Sequence, residues 1–163
     1  MLFRNIFILM VSLILTGCLT TYPVVKESKS AAFIKFERNV ASPALGSITR
    51  YVKVDDKQKC NQAYSEHQLL AVQNKGNPLV SDLNLNGLYV KPGSFRILAN
   101  TVAGGAWCDV FSTFDMQAGE KYKMVINGDA YIGINRCSAK LYQLTSTGEY
   151  QEKKFKEYYE CNK

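Results

Sequence analysis

The side chains with the most chemistry to offer are five cysteines, at positions 18, 60, 108, 137 and 161, and one histidine, His67. Cys60, Cys108, Cys137 and Cys161 are even in number, and no two of them lie at the C-x₂₋₄-C spacing of a zinc knuckle. His67 stands apart from all four, so disulfides in an oxidising compartment are expected and no metal ligands are assigned. Four cysteines allow three pairings. Residues 137 and 161 are equidistant from Glu149, which falls in the turn-like stretch Thr145-Ser-Thr-Gly148-Glu149. An antiparallel hairpin about that turn would set Cys137 opposite Cys161, at the ~5.5 Å Cα separation that a bridge needs. Cys60 with Cys108 follows by elimination.

Catalysis finds little support. A Ser-His-Asp arrangement would have to use His67 in Ser65-Glu66-His67, a setting more ordinary for a surface or capping residue. The chain has no Gly-x-Ser-x-Gly elbow, no phosphate-binding glycine loop, no His-Glu-x-x-His and no Cys-x-x-Cys. Asp55, Asp56, Asp109 and Asp115 could serve as paired acids only if the fold brought two together, and nothing in their spacing does so. No catalytic residues and no cofactor are assigned, and the chain is read as a non-enzyme. Trp107 follows the glycine-rich stretch Ala103-Gly104-Gly105-Ala106. It could present an aromatic face to a partner or a glycan, or pack over a bridge made by Cys108, which is the more ordinary arrangement. Gly104, Gly105 and Trp107 are the candidate partner-binding residues.

The fifth cysteine belongs to a different pattern. Arg4 precedes an apolar run over residues 6–15, interrupted only by Ser12, and Thr16-Gly17-Cys18 follows. A run of that length is too short for the ~20 residues of a membrane span and matches a signal peptide. Leu15-Thr16-Gly17-Cys18 resembles the lipobox of bacterial lipoproteins. That resemblance implies cleavage before Cys18, lipidation of Cys18 and attachment to a membrane. Leu19, where an Asp would signal inner-membrane retention, implies the outer membrane, with the domain facing the periplasm or the cell surface. Residues 1–17 are thus expected as signal peptide and 18–30 as a lipidated start and flexible tether. The formal charge is +6, but Lys153, Lys154 and Lys156 are the only close basic cluster, and glutamates alternate with them. No uninterrupted basic stripe suits nucleic acid; attraction to anionic head groups or to an acidic partner is the most the charge implies.

These residues must be positioned by one domain, residues 31–163. Its size and the 47% hydrophobic content suffice for a core. No apolar stripe of period 3.6 occurs in it. Runs of period two recur instead between turn signals: Ala32, Ile34 and Phe36; Val52 and Val54; a stretch from Gln68 to Val72; Leu83 to Val90; Phe95 to Ala99; Cys108, Val110, Ser112, Phe114 and Met116; Tyr122, Met124 and Ile126; and Cys137 onward. Pro92-Gly93 has tight-turn chemistry, and Asn127-Gly128 is a hairpin signal. The pattern predicts an all-β, two-sheet β-sandwich of seven to nine short antiparallel strands, with a small closed barrel as the alternative.

The series Val90-Lys-Pro-Gly93, the strand after it, the run from Cys108 to Met116, Ala118-Gly119-Glu-Lys-Tyr122 and Cys137-Ser-Ala-Lys-Leu-Tyr142 resembles small proteobacterial lipoproteins. Those have transthyretin-like or immunoglobulin-like sandwiches, a fold also found in the lipoprotein of type VI secretion membrane complexes. The resemblance covers about residues 85–145 and implies no catalytic residues. The expected function is a binding or assembly module for another envelope protein, anchored by lipid. The alternative is a periplasmic inhibitor of a cell-wall hydrolase or a ligand binder.

Overall fold

The computed structural model describes residues 20–41, 46–54, 68–103, 106–131 and 134–158. Among them eleven strands form: β1 (Thr20–Thr21), β2 (Ala32–Ala41), β3 (Ser47–Val54), β4 (Gln68–Lys75), β5 (Leu88–Val90), β6 (Gly93–Ala103), β7 (Ala106–Met116), β8 (Lys121–Tyr131), β9 (Ile134–Leu144), β10 (Tyr150–Lys153) and β11 (Lys156–Tyr158). Sheet A has the order β1-β4-β3-β6-β7-β11 and sheet B the order β10-β9-β8-β2-β5. Both sheets are open, so the chain is an all-β sandwich and the closed barrel is ruled out. Two pairings depart from the antiparallel expectation, because β1 runs parallel to β4 and β2 parallel to β8.

Period-two alternation explains the core. Ala32, Ile34 and Phe36 on β2, Tyr122, Met124 and Ile126 on β8, and Leu141 on β9 are buried from sheet B. Tyr51, Leu70, Phe95, Ile97, Val110, Phe114 and Met116 meet them from sheet A in one cluster. Side chains between these positions point to the outer faces. On β3 and its neighbours the outer face is also apolar in part: Val54, Leu98 and Phe111 form a second buried cluster.

Several short links carry the chain between the sheets, residues 117–120 between β7 and β8 among them. Pro92-Gly93 passes from β5 in sheet B to β6 in sheet A, with Gly93 at φ 130°. Lys154-Phe155 passes from β10 to β11, and the Phe155 ring lies 6.4 Å from that of Phe114. Just before β5, Gly87 has φ 92°, and a Cβ there would sit 2.4 Å from Phe33 Cζ and 2.7 Å from the Ile34 carbonyl oxygen. Gly87→Ala is therefore expected to cost about 1–3 kcal/mol. Gly148→Ala, at φ 84° with nothing within 4 Å of its Cβ, carries the backbone strain without the collision and should cost less. Urea unfolding of the two variants, followed by circular dichroism, checks the order.

Three expectations are corrected here. Residues 20–25 do not form a free tether. Tyr22 is buried, its N–H donates to the Leu69 carbonyl (2.9 Å), and the Val25 N–H donates to the Tyr89 carbonyl (3.2 Å). Its aromatic ring also packs 6.2 Å from Phe95, which is the reason the segment docks. Asn127-Gly128 makes no turn, since both residues lie within β8 opposite Ser138 and Cys137. The pairing of β8 with both β2 and β9 overrides the local turn propensity. Of the stretch read as a strand from Leu83, only Leu88–Val90 is one, while Leu83 makes an isolated bridge to Val72.

Candidate functional site

Cys108 and Cys137 are joined to each other, with a Cα separation of 6.0 Å. This corrects the pairing of Cys137 with Cys161 and of Cys60 with Cys108. The expected hairpin does exist, with β9 and β10 pairing Leu144 with Tyr150. It stops at Lys153, however, because the chain then crosses to sheet A, where β11 pairs with β7. Cys137 is left facing the inner side of β7. There Cys108 shares a cross-strand row with Thr101 and Thr49, whose hydroxyls are 2.9 Å apart and buried. Gly128, opposite Cys137 on the inner face of β8, leaves room beside the bridge. Cys18, Cys60, Cys161, His67, Gly104 and Gly105 lie outside the described residues.

The bridge fixes the inner face of the β6–β7 hairpin, and Trp107 occupies the outer one. Successive strand residues point to opposite faces, so Trp107 cannot pack over the bridge of Cys108, and that expectation is corrected. Its side chain is 61% exposed, and its cross-strand partner Val102 is 38% exposed. Below them Asn100 donates to Asp109 Oδ1 at 2.6 Å, with Arg50 next in the row. The outcome is an aromatic and aliphatic patch beside a hydrogen-bonded carboxylate, held on two paired strands.

A second exposed apolar side chain sits at the same end of sheet A, as Lys75, Ser47, Ala103 and Ala106 fall in one row. The segment after Lys75 is held by Asn74. Its amide donates to the Asn77 and Val80 carbonyls (2.6 Å each), and its backbone N–H donates to Asp82 Oδ1 (2.6 Å). This loop carries Leu79, 91% exposed. Beside it, a recess of about 460 Å³ is lined by Arg38, Gln73, Asn74, Asp82 and Leu85, among others. The Arg38 guanidinium donates to the Ser47 carbonyl and hydroxyl (3.1 and 2.9 Å). Burial lowers its pKa below the ordinary arginine value, opposed by Tyr51 and Asp82. The sequence reading missed Leu79, although an apolar residue directly after Asn77-Pro78, in a stretch of turn formers, was a usable signal.

Among the described residues no three His, Cys, Asp or Glu side chains come together as a metal site would require. Asp109 and Asp115 share the outer face of β7 but are six positions apart, about 20 Å along a strand, so they are not an acid pair. Fold and site together define a disulfide-stapled all-β sandwich with exposed apolar side chains at one end of one sheet. Comparison with family models, with curated proteins and with solved structures finds no match to this chain.

Proposed function

We propose that the chain is a non-enzymatic, lipid-anchored protein of the outer membrane, with a sandwich that binds or helps assemble another envelope protein through the hairpin end of sheet A. The observation that carries this reading is Trp107, 61% exposed beside Val102 on strands stapled from behind. Tryptophan is among the residues enriched at the energetic centres of protein interfaces. The cysteine in Leu15-Thr16-Gly17-Cys18 supports the membrane address, and the disulfide supports an oxidising compartment.

A photo-crosslinking residue at position 107, compared with one at Lys140 on sheet B, tests the surface in living cells. A single envelope protein captured in stoichiometric amount from position 107 and not from 140 is the expected result. Trp107→Ala should then weaken binding at least about tenfold while moving stability by no more than about 0.5 kcal/mol. Capture of secreted lytic enzymes from position 107 would favour the inhibitor alternative instead. Equal capture at both positions, or unchanged binding by Trp107→Ala, removes the site.

A further inference from the structure

One row of residues crosses the whole of sheet A: Thr20, Gln68, Lys53, Ile97, Ser112 and Glu157. Thr20, where the chain enters the sheet, therefore lies at the same end as the start of β11. This is the end opposite Trp107. Because β1 runs parallel to β4, Thr20 heads β1 at this end. Cys18 is two residues upstream, a reach of at most ~7 Å. That is about the thickness of one head-group layer, roughly 5–8 Å. A dozen-residue tether would let the domain drift, whereas two residues hold this end of the sheet at the lipid surface.

What the sheet presents there is basic. A recess of about 600 Å³ is lined by Ser94, Thr113, Lys153, Lys154 and Lys156, with Asp115 as its only acid among the described residues. Lys154 and Lys156 are exposed and make no ion pair among the described residues. Lys153 is held in place, donating to Gln143 Oε1 at 3.1 Å and lying 5.1 Å from the Tyr122 ring centroid. Thr113 Oγ1 is buried with no hydrogen-bond partner among the described residues. Lys91, also exposed, precedes the Pro92-Gly93 link at this end.

We infer that this lysine-lined end of sheet A docks on the anionic head groups of the membrane that carries the anchor. The sandwich then stands with its strands across the head-group plane and Trp107 about 30 Å away, facing outward. The inference rests on acylation of Cys18. Lysines near an anionic surface are drawn to it within a Debye length, and although β1 and β11 are opposite edges of sheet A, a sheet standing on this end brings Lys154 and Lys156 down to the same surface.

The test uses the acylated mature protein in vesicles of phosphatidylcholine with phosphatidylglycerol, and in neutral detergent micelles. Vesicle flotation is followed by brief acylation of lysines with a water-soluble reagent, read by mass spectrometry. Lys154, Lys156 and Lys91 should react severalfold more slowly on the vesicles than in micelles, while Lys140 reacts equally in both. The K154E/K156E variant should still float, and its Lys91 should return to the micelle rate. A chain that fails to float takes the anchor and the docking down together. One that floats while Lys154 and Lys156 react at the micelle rate overturns the docking alone. Loss of protection on adding inorganic phosphate at constant ionic strength would make the recess a free-anion site, which also overturns it.

Discussion

A chain carrying Cys108→Ala and Cys137→Ala is expected to lose about 3.5 kcal/mol of unfolding free energy, the loop-closure value for a bridge spanning 29 residues. For a domain of this size that is a fall in Tm of roughly 10–15 °C. The size follows from what the bridge connects. Cys108 is on β7 of sheet A and Cys137 on β9 of sheet B, so cutting it frees the sheets to separate where the core is most polar, beside Thr49 and Thr101. Thermal unfolding of the variant, alongside the parent with and without reductant, measures the loss. Peptide mapping without reductant should recover Cys108 joined to Cys137. A peptide joining Cys137 to Cys161 would restore the hairpin argument and sink the observed pairing.

Tyr51 should matter as much. Its side chain is fully buried, its ring stacks on Phe36 at 4.3 Å, and its hydroxyl shares its proton between the Glu37 carbonyl (3.1 Å) and Gln73 Oε1 (3.0 Å). The Gln73 amide in turn donates to the Phe36 carbonyl at 2.6 Å. One phenol thus joins β3 and β4 of sheet A to β2 of sheet B. Tyr51→Ala should cost about 3–5 kcal/mol, as for other large aromatic truncations in cores. Tyr51→Phe keeps the ring and should cost about 1 kcal/mol for the lost hydrogen bonds.

The same pair of variants separates packing from charge. Burial, aided by Glu37 and opposed by Arg38, raises the Tyr51 pKa well above its ordinary value of 10.0. The folded chain therefore holds a proton that the unfolded chain gives up first. Stability from this group is complete below pH 10 and declines as the pH rises from there toward the folded value. Tyr122 behaves alike, pushed up to about 12 by burial and by its hydrogen bond to Glu120. Urea unfolding at increasing alkaline pH should show parental stability falling from pH 10 upward, with a shallower fall in Tyr51→Phe. Identical slopes would mean that the phenol ionises equally easily in both states.

Alternation made much of the fold legible. The faces of β7 were readable because Val110, Phe114 and Met116 differ in kind from Asp109 and Asp115, and all three of the first set are buried. The side of β8 carrying Tyr122, Met124 and Ile126 was readable for the same reason. Two kinds of feature were not. Where a partner strand comes from far along the chain, local signals mislead: Asn127-Gly128 looks like a turn until β2, some ninety residues earlier, claims its other edge. Where the chain changes sheets, pairing by symmetry fails, and Lys154-Phe155 defeated the disulfide argument in that way. The exposure of Trp107 was open to inference, because a residue next to an inward cysteine must face outward. The docking of Tyr22 was not, since it depends on Phe95 and Leu69 being where the finished sheet puts them.

The parallel pairing of β2 with β8 joins Phe33–Ala41 to residues from Lys121 onward. A parallel neighbour cannot be supplied by a tight hairpin, so β2 waits for its partner until most of the polypeptide has been made. An early-emerging portion therefore cannot complete sheet B, and slow, late folding is the consequence of so much long-range contact.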